Sequence, residues 1–240
     1  MVCLKRIFYY ILFLLIAVLI LVIFNNNFFS HKENGKLMEI PDRTFHRIYI
    51  KNIIYNKVII IGDSRMEYIN NRGKKINIPT NFNFIALGGT KINWFENVAL
   101  KNLEEKLDCM DEKYKYHVVI NMGVNDLNDN VEAIKHADDY YLLFKKLVSR
   151  YSNVNFYILS VNPINDKIIN RFFRPQYRST SKIQSFNDET INLIDESFFK
   201  NLFYCDSYNN IDFGIPDGLH YDKATDQRIV DYIVNDCVRY

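Results

Sequence analysis

Apolar and polar positions along the chain fall into two alternating kinds of segment. Short runs rich in β-branched and aromatic residues occupy Lys57–Ile61, Asn83–Leu87, His117–Met122, Asn155–Val161 and Leu202–Cys205. Between them lie longer amphipathic stretches, Arg65–Asn71, Ile92–Leu107, Val131–Tyr151 and Ser181–Lys200, and a last one, Lys223–Val238, closes the chain. Strand–helix alternation of this sort predicts a parallel sheet with helices on both faces. In the third run Val118, Val119 and Ile120 are consecutive, as expected of a strand buried on both sides. There is no repeat, so residues 57–240 are expected to form one three-layer α/β/α domain.

The N-terminus follows a different rule. Ile7 to Phe24 carry no charge and are preceded by Lys5 and Arg6. That run approaches the ~20 apolar residues that cross a bilayer. Basic residues ahead of it favour a cytoplasmic N-terminus and an extracellular remainder. The expected layout is therefore a cytoplasmic segment 1–6, a single-pass membrane anchor 7–24, and a spacer and lead-in 25–56 before the domain. A cleaved signal peptide is the alternative, but its apolar region usually runs only ~7–15 residues, and no small-x-small cleavage pattern follows.

Composition changes this picture little. Of 240 residues, 48% are hydrophobic and 24% charged, which is ordinary for a folded domain. A net charge of +2 without a dense basic block gives no reason to expect nucleic acid as a partner. Cys109, Cys205 and Cys237 follow the proposed anchor, and three thiols cannot all pair. With no C-x-x-C spacing among them, they are expected to be small buried apolar residues.

Ligands of such sheets bind at the carboxyl ends of the strands, so the residues there carry the chemistry. The first run ends in Gly62-Asp63-Ser64-Arg65, placing a hydroxyl at a helix start, where Asp63 or Ser64 could equally serve as a cap. The second ends in Gly88-Gly89-Thr90, either a plain turn or a backbone donor close to a ligand. Gly123-Val124-Asn125-Asp126 follows the third, and Asn125 is either an Asx turn or an amide aimed at an oxyanion. Before the last helix, Asp217-Gly218-Leu219-His220 places a carboxylate three residues ahead of an imidazole it can orient, or forms a turn with an exposed histidine. Taken together, these four supply a nucleophile, a base with its orienter, and donors for a tetrahedral oxyanion.

In order and spacing the four blocks resemble the SGNH (GDSL-like) hydrolase superfamily, over roughly Lys57 to the C-terminus. The resemblance implies a five-stranded flavodoxin-like sheet and a serine esterase that needs no metal or other cofactor. It implies Ser64 as nucleophile, His220 as base and Asp217 as its orienter. The oxyanion hole would comprise the Ser64 and Gly89 N–H groups and the Asn125 amide, Gly89 being preferred over Gly88 for its proximity to the next helix. Arg65 stands where the family often has an apolar residue. It is a candidate contact for an anionic substrate, although pairing within the protein is the favoured alternative, and Asn162 is a second candidate lining residue. The segment 164–178 is polar with interleaved Arg and aromatic residues, and is expected to be either a lip over the site or a solvated surface loop. An extracellular, membrane-tethered enzyme of this kind is expected to remove a small acyl group, acetyl above all, from a glycan or another envelope ester. An O-acyltransferase with the same triad and a catalytically silent binding module are the alternatives.

Overall fold

The computed structural model describes residues 55–72, 75–173 and 176–238. The expected anchor at 7–24 and nearly all of the spacer lie outside them. Among the described residues no helix is long and apolar enough to cross a membrane.

Five parallel strands form the sheet: β1 (Tyr55–Gly62), β2 (Phe82–Ala86), β3 (Tyr114–Asn121), β4 (Asn155–Leu159) and β5 (Leu202–Cys205), in the order β2-β1-β3-β4-β5. Alternation sorts their side chains between two cores. Ile59, Ile61, Val118, Ile120, Phe156 and Ile158 face one, while Val58, Ile60, Val119, Tyr157 and Leu159 face the other. The first core is closed by α2 (92–107, whose middle, Phe95–Ala99, is a π-helical turn), α3 (Ala133–Arg150) and α5 (Thr180–Asp195). The second is closed by α1 (Ser64–Asn71) and the last helix, α7 (Lys223–Tyr232), which runs into a π turn at Ile233–Cys237. Among the described residues two short α-helices, α4 (Asp166–Phe172) and α6 (Ser207–Asn210), and a 3₁₀ turn at Asp126–Asn128 complete the fold. The architecture is thus the expected α/β/α sandwich.

Three details differ from the sequence pattern. β3 begins at Tyr114, because the ladder with β1 extends to the pair Tyr55↔Tyr114. Within the expected lip, α4 forms where Asn165 caps its own helix, its Oδ1 accepting from the N–H groups of Lys167 and Ile168. Cys205 and Cys237 are not separate buried thiols but a disulfide. Packing of the C-terminal helix brings their Cα atoms to 5.4 Å, within bonding range, although 32 positions separate them in sequence.

The order reverses between β1 and its neighbours. β2 lies on one side of β1 and β3 on the other, with Gly62 level with Ala86 and with Asn121. The residues following these three strands therefore emerge side by side at a topological switch point.

Candidate functional site

The turn after β1 is tight because Gly62 has no side chain; a Cβ there would stand 2.2 Å from the Met66 Cγ. Asp63 caps α1 by accepting the Arg65 N–H at 3.0 Å, which leaves Ser64 as the first helical residue. The Ser64 hydroxyl is then free of capping duty and lies 3.0 Å from His220 Nε2. On the other side of the ring, His220 Nδ1 is 2.7 Å from Asp217 Oδ2. Asp217 Oδ1 accepts the backbone N–H groups of Leu219 (2.8 Å) and His220 (2.6 Å). One carboxylate thus folds the turn with one oxygen and orients the imidazole with the other. Burial pulls the Asp217 carboxyl upward, but the bonds from the His220 ring and the two N–H groups outweigh it and hold it below the usual carboxylate range. The turn depends on Gly218, whose φ is +87° and where a Cβ would stand 2.3 Å from the Ile169 nitrogen.

Arg65 joins the two halves of this arrangement. It is 1% exposed and donates from Nε to Leu219 O (3.2 Å), from Nη1 to Asn162 O (2.9 Å) and from Nη2 to Pro163 O (3.3 Å), with the Tyr221 ring 4.8 Å from its guanidinium carbon. The residue after Ser64 therefore holds the residue before His220. This is not the environment expected of a substrate contact, because every arm of the guanidinium is spent on a protein carbonyl. Asn162 is likewise fully buried, its Oδ1 accepting the Ser207 hydroxyl at 2.5 Å beneath the strand ends.

A Cβ at Gly88 would meet the Ser64 Cβ at 3.5 Å and Glu67 Oε2 at 2.8 Å, whereas one at Gly89 would meet nothing within 4 Å. Gly88 is thus packed against Ser64, whereas the space around Gly89 is open. Asn125 follows β3 and sends one Nδ2 hydrogen to Thr90 O at 3.0 Å, while its Oδ1 accepts from Arg178 Nη1 at 3.3 Å. Asp126 beside it is structural. It takes the Ile92 N–H (3.0 Å) and the Tyr140 hydroxyl (2.8 Å), and burial raises its carboxyl despite both bonds.

The Tyr68 ring, one turn along α1 from Ser64, has its centroid 4.7 Å from that of His220, and Phe173 stands at 6.3 Å. Neither ring nor the Arg178 contact was readable from spacing, since nothing local in the sequence marks which α1 side chain meets His220 or which members of the 164–178 segment turn inward. The other described histidines are engaged elsewhere, His117 with Asn56 and Tyr157, and His136 with Asp129.

No family model matches the chain, and no curated protein matches it. Solved structures do. A carbohydrate esterase family 3 protein from Talaromyces cellulolyticus superposes with a TM-score of 0.52 at 15% identity, over 75% of this chain and 94% of that one. The C-terminal catalytic domain of Streptococcus pneumoniae peptidoglycan O-acetyltransferase A, solved with a methylsulfonyl adduct, gives 0.51 at 16%, over 75% and 92%. A G-D-S-L family lipolytic protein from Veillonella parvula gives 0.51 at 12%, over 75% and 97%. The chain shares its fold with these proteins. At these identities the likeness is one of architecture, and what the site does must be argued from its own groups.

Proposed function

We propose that this protein is a serine esterase that removes a small acyl group, acetyl above all, from an extracellular glycan or related envelope ester. The observation that carries this reading is the continuous hydrogen-bonded chain Ser64–His220–Asp217 at a strand-end switch point. In the mechanism, Asp217 keeps the proton on His220 Nδ1, so Nε2 accepts the Ser64 proton as Oγ attacks the ester carbonyl. The tetrahedral oxyanion takes hydrogen bonds from the Ser64 N–H, the remaining Asn125 Nδ2 hydrogen and the Gly88 N–H, the glycine assignment following the approach of Gly88 to Ser64. The imidazolium returns its proton to the departing alcohol oxygen, leaving an acyl-serine. Water, deprotonated by the same nitrogen, then releases the acid and restores Ser64.

The extracellular placement rests on the apolar run 7–24 behind Lys5 and Arg6, together with the Cys205–Cys237 disulfide, which belongs to an oxidising compartment. Support for a glycan comes from a cavity of about 390 Å³ lined by polar groups, among them Asp129, Asn130, Glu132, Ser181 and Lys182, with the Tyr177 ring 64% exposed at its rim. None of the triad residues lines this cavity; its link to the site is Arg178, which follows Tyr177 and bonds Asn125, so the cavity would hold the polymer and not the ester. A carbohydrate esterase and a peptidoglycan O-acetyltransferase among the structural neighbours fit the same substrate class. The second of these keeps transfer to a sugar hydroxyl, instead of to water, as the alternative reading.

The test is a fluorophosphonate probe and an aryl acetate offered to wild type and Ser64→Ala, followed by acetylated polysaccharides with and without an acceptor glycan. Loss of both labelling and turnover in the variant is expected. Equal labelling of the two proteins would reject Ser64 as the nucleophile. Acetyl appearing on the acceptor rather than as free acetate would convert the esterase into a transferase.

A further inference from the structure

We infer that Arg178 is a positioning residue for acyl transfer, fixing the Asn125 amide in the one orientation that presents an N–H to the oxyanion. The inference rests on the proposed role of Asn125 and goes beyond it by assigning what sets that role. An asparagine side chain is nearly symmetric in shape, and two orientations fit the same space. Here its two neighbours differ in kind. Thr90 O can only accept, and the Arg178 guanidinium can only donate. Turning the amide over would set its oxygen against a carbonyl and its NH₂ against a cation's N–H, so both bonds would become repulsive contacts. The observed orientation satisfies both neighbours and leaves exactly one amide hydrogen unspent.

The cation does a second thing. A charged donor on the amide oxygen withdraws electron density from Nδ2 and makes the remaining hydrogen a better partner for an oxyanion. Arg178 is partly buried beside Arg65 and Asp63. Burial first, and then the like charge of Arg65, lower its pKa to about 10, with Asp63 opposing, so it stays cationic at neutral pH. Its Nε is held by Gln176 Oε1 at 2.9 Å, which aims the planar group at Asn125. Arg178 thus reaches the site from the 164–178 segment, a contact across 53 positions.

The experiment is a double-mutant cycle on the full chain in detergent, with aryl acetate turnover and fluorophosphonate labelling rate as readouts. Asn125→Ala alone is expected to lower kcat about 10²–10³-fold, as loss of one oxyanion donor does. Arg178→Ala should lower kcat about 10- to 100-fold with KM within twofold. Added to Asn125→Ala, it should cost less than about twofold more, because a residue acting through the amide has nothing left to orient. Arg178→Lys should recover part of the lost kcat and Arg178→Gln less, and external guanidinium should partly restore Arg178→Ala but not the double variant. Losses that multiply in the double variant, or a change confined to KM, would overturn the inference and make Arg178 a direct substrate contact. So would wild-type kcat in Arg178→Ala. Should Arg178→Ala not fold, the cycle is run with Arg178→Gln under the same criteria. An unchanged kcat in Asn125→Ala while Ser64→Ala is dead would remove the oxyanion role of Asn125, and this inference with it, without touching the nucleophile.

Discussion

Asp217→Asn isolates the orienting role of the carboxylate, because the geometry decides which way the new amide must turn. Oδ1 holds two backbone N–H groups at 2.8 and 2.6 Å, while Oδ2 holds one ring nitrogen at 2.7 Å. If the amide oxygen takes the Oδ1 position, two hydrogen bonds survive and NH₂ faces His220 Nδ1. The opposite orientation sets NH₂ against two N–H donors and forfeits both bonds. The first wins, so the turn folds as before. An NH₂ against Nδ1 forces that nitrogen to accept, which moves the ring proton to Nε2, pointing at Ser64 Oγ. The base is then blocked while every atom stays near its place. Wrong-tautomer variants of this kind lose roughly 10⁴ in kcat, or about 5.5 kcal/mol of barrier at about 1.4 kcal/mol per tenfold. The assay is aryl acetate hydrolysis with the melting temperature measured alongside. We expect kcat to fall by that factor, KM to stay within about threefold, and Tm to stay within about 2 °C. Asp217→Ala, which also removes the two backbone bonds, should lose comparable activity and additionally melt earlier. Retention of more than a tenth of wild-type kcat by Asp217→Asn would refute the orienting role.

Other regions of the molecule give further expectations. Reducing or deleting the Cys205–Cys237 bridge opens a loop of 32 positions, worth about 3–4 kcal/mol in chain entropy and roughly 10 °C in Tm; a melting curve indifferent to reductant would rule this out. Burial first, and then the nearby Lys115, lower the pKa of His117 from the ordinary 6.5 to about 4. The unfolded chain therefore takes up a proton below about pH 6.5 that the folded one refuses, and stability is lost as pH falls from there towards 4, by about 1–3 kcal/mol. Asp226 works in the opposite sense. Burial outweighs Arg72 and raises it to about 6, so acidification from pH 6 to 4 regains stability from that group. Comparing His117→Gln with wild type separates the two: its Tm loss between pH 7 and 4.5 should be about 5 °C smaller, and equal losses would place the sensitivity elsewhere. Tyr177→Ala should raise KM for an acetylated glycan about fivefold, the worth of one aromatic contact, and leave aryl acetate turnover unchanged. A parallel loss on both substrates would deny the cavity a role in holding the polymer.

What the sequence determined by itself depends on near neighbours. Runs such as Val58–Ile61 and Val118–Ile120 are apolar at consecutive positions, as in a strand covered on both faces, and they alternate with amphipathic stretches, so the layered sheet was legible. Asp217 and His220 lie three residues apart, and such a pair can meet within one turn; Ser64, Asn125 and the glycine pair each sit just past a strand, where the fold puts its ligands. Other features depend on positions far apart, and only packing decided them. Gly88 packs against Ser64 while Gly89 has open space, a matter of a few ångströms that two adjacent glycines do not encode. Arg65 turned inward because three carbonyls from two distant loops converge on it, and a buried guanidinium is tolerable only when its donors are so satisfied. The cysteine pair and the Arg178–Asn125 contact span 32 and 53 positions and have no periodicity to announce them. Local propensity and hydrophobic period act over a few residues, whereas a site is assembled by chain segments whose proximity is settled only when the whole core closes.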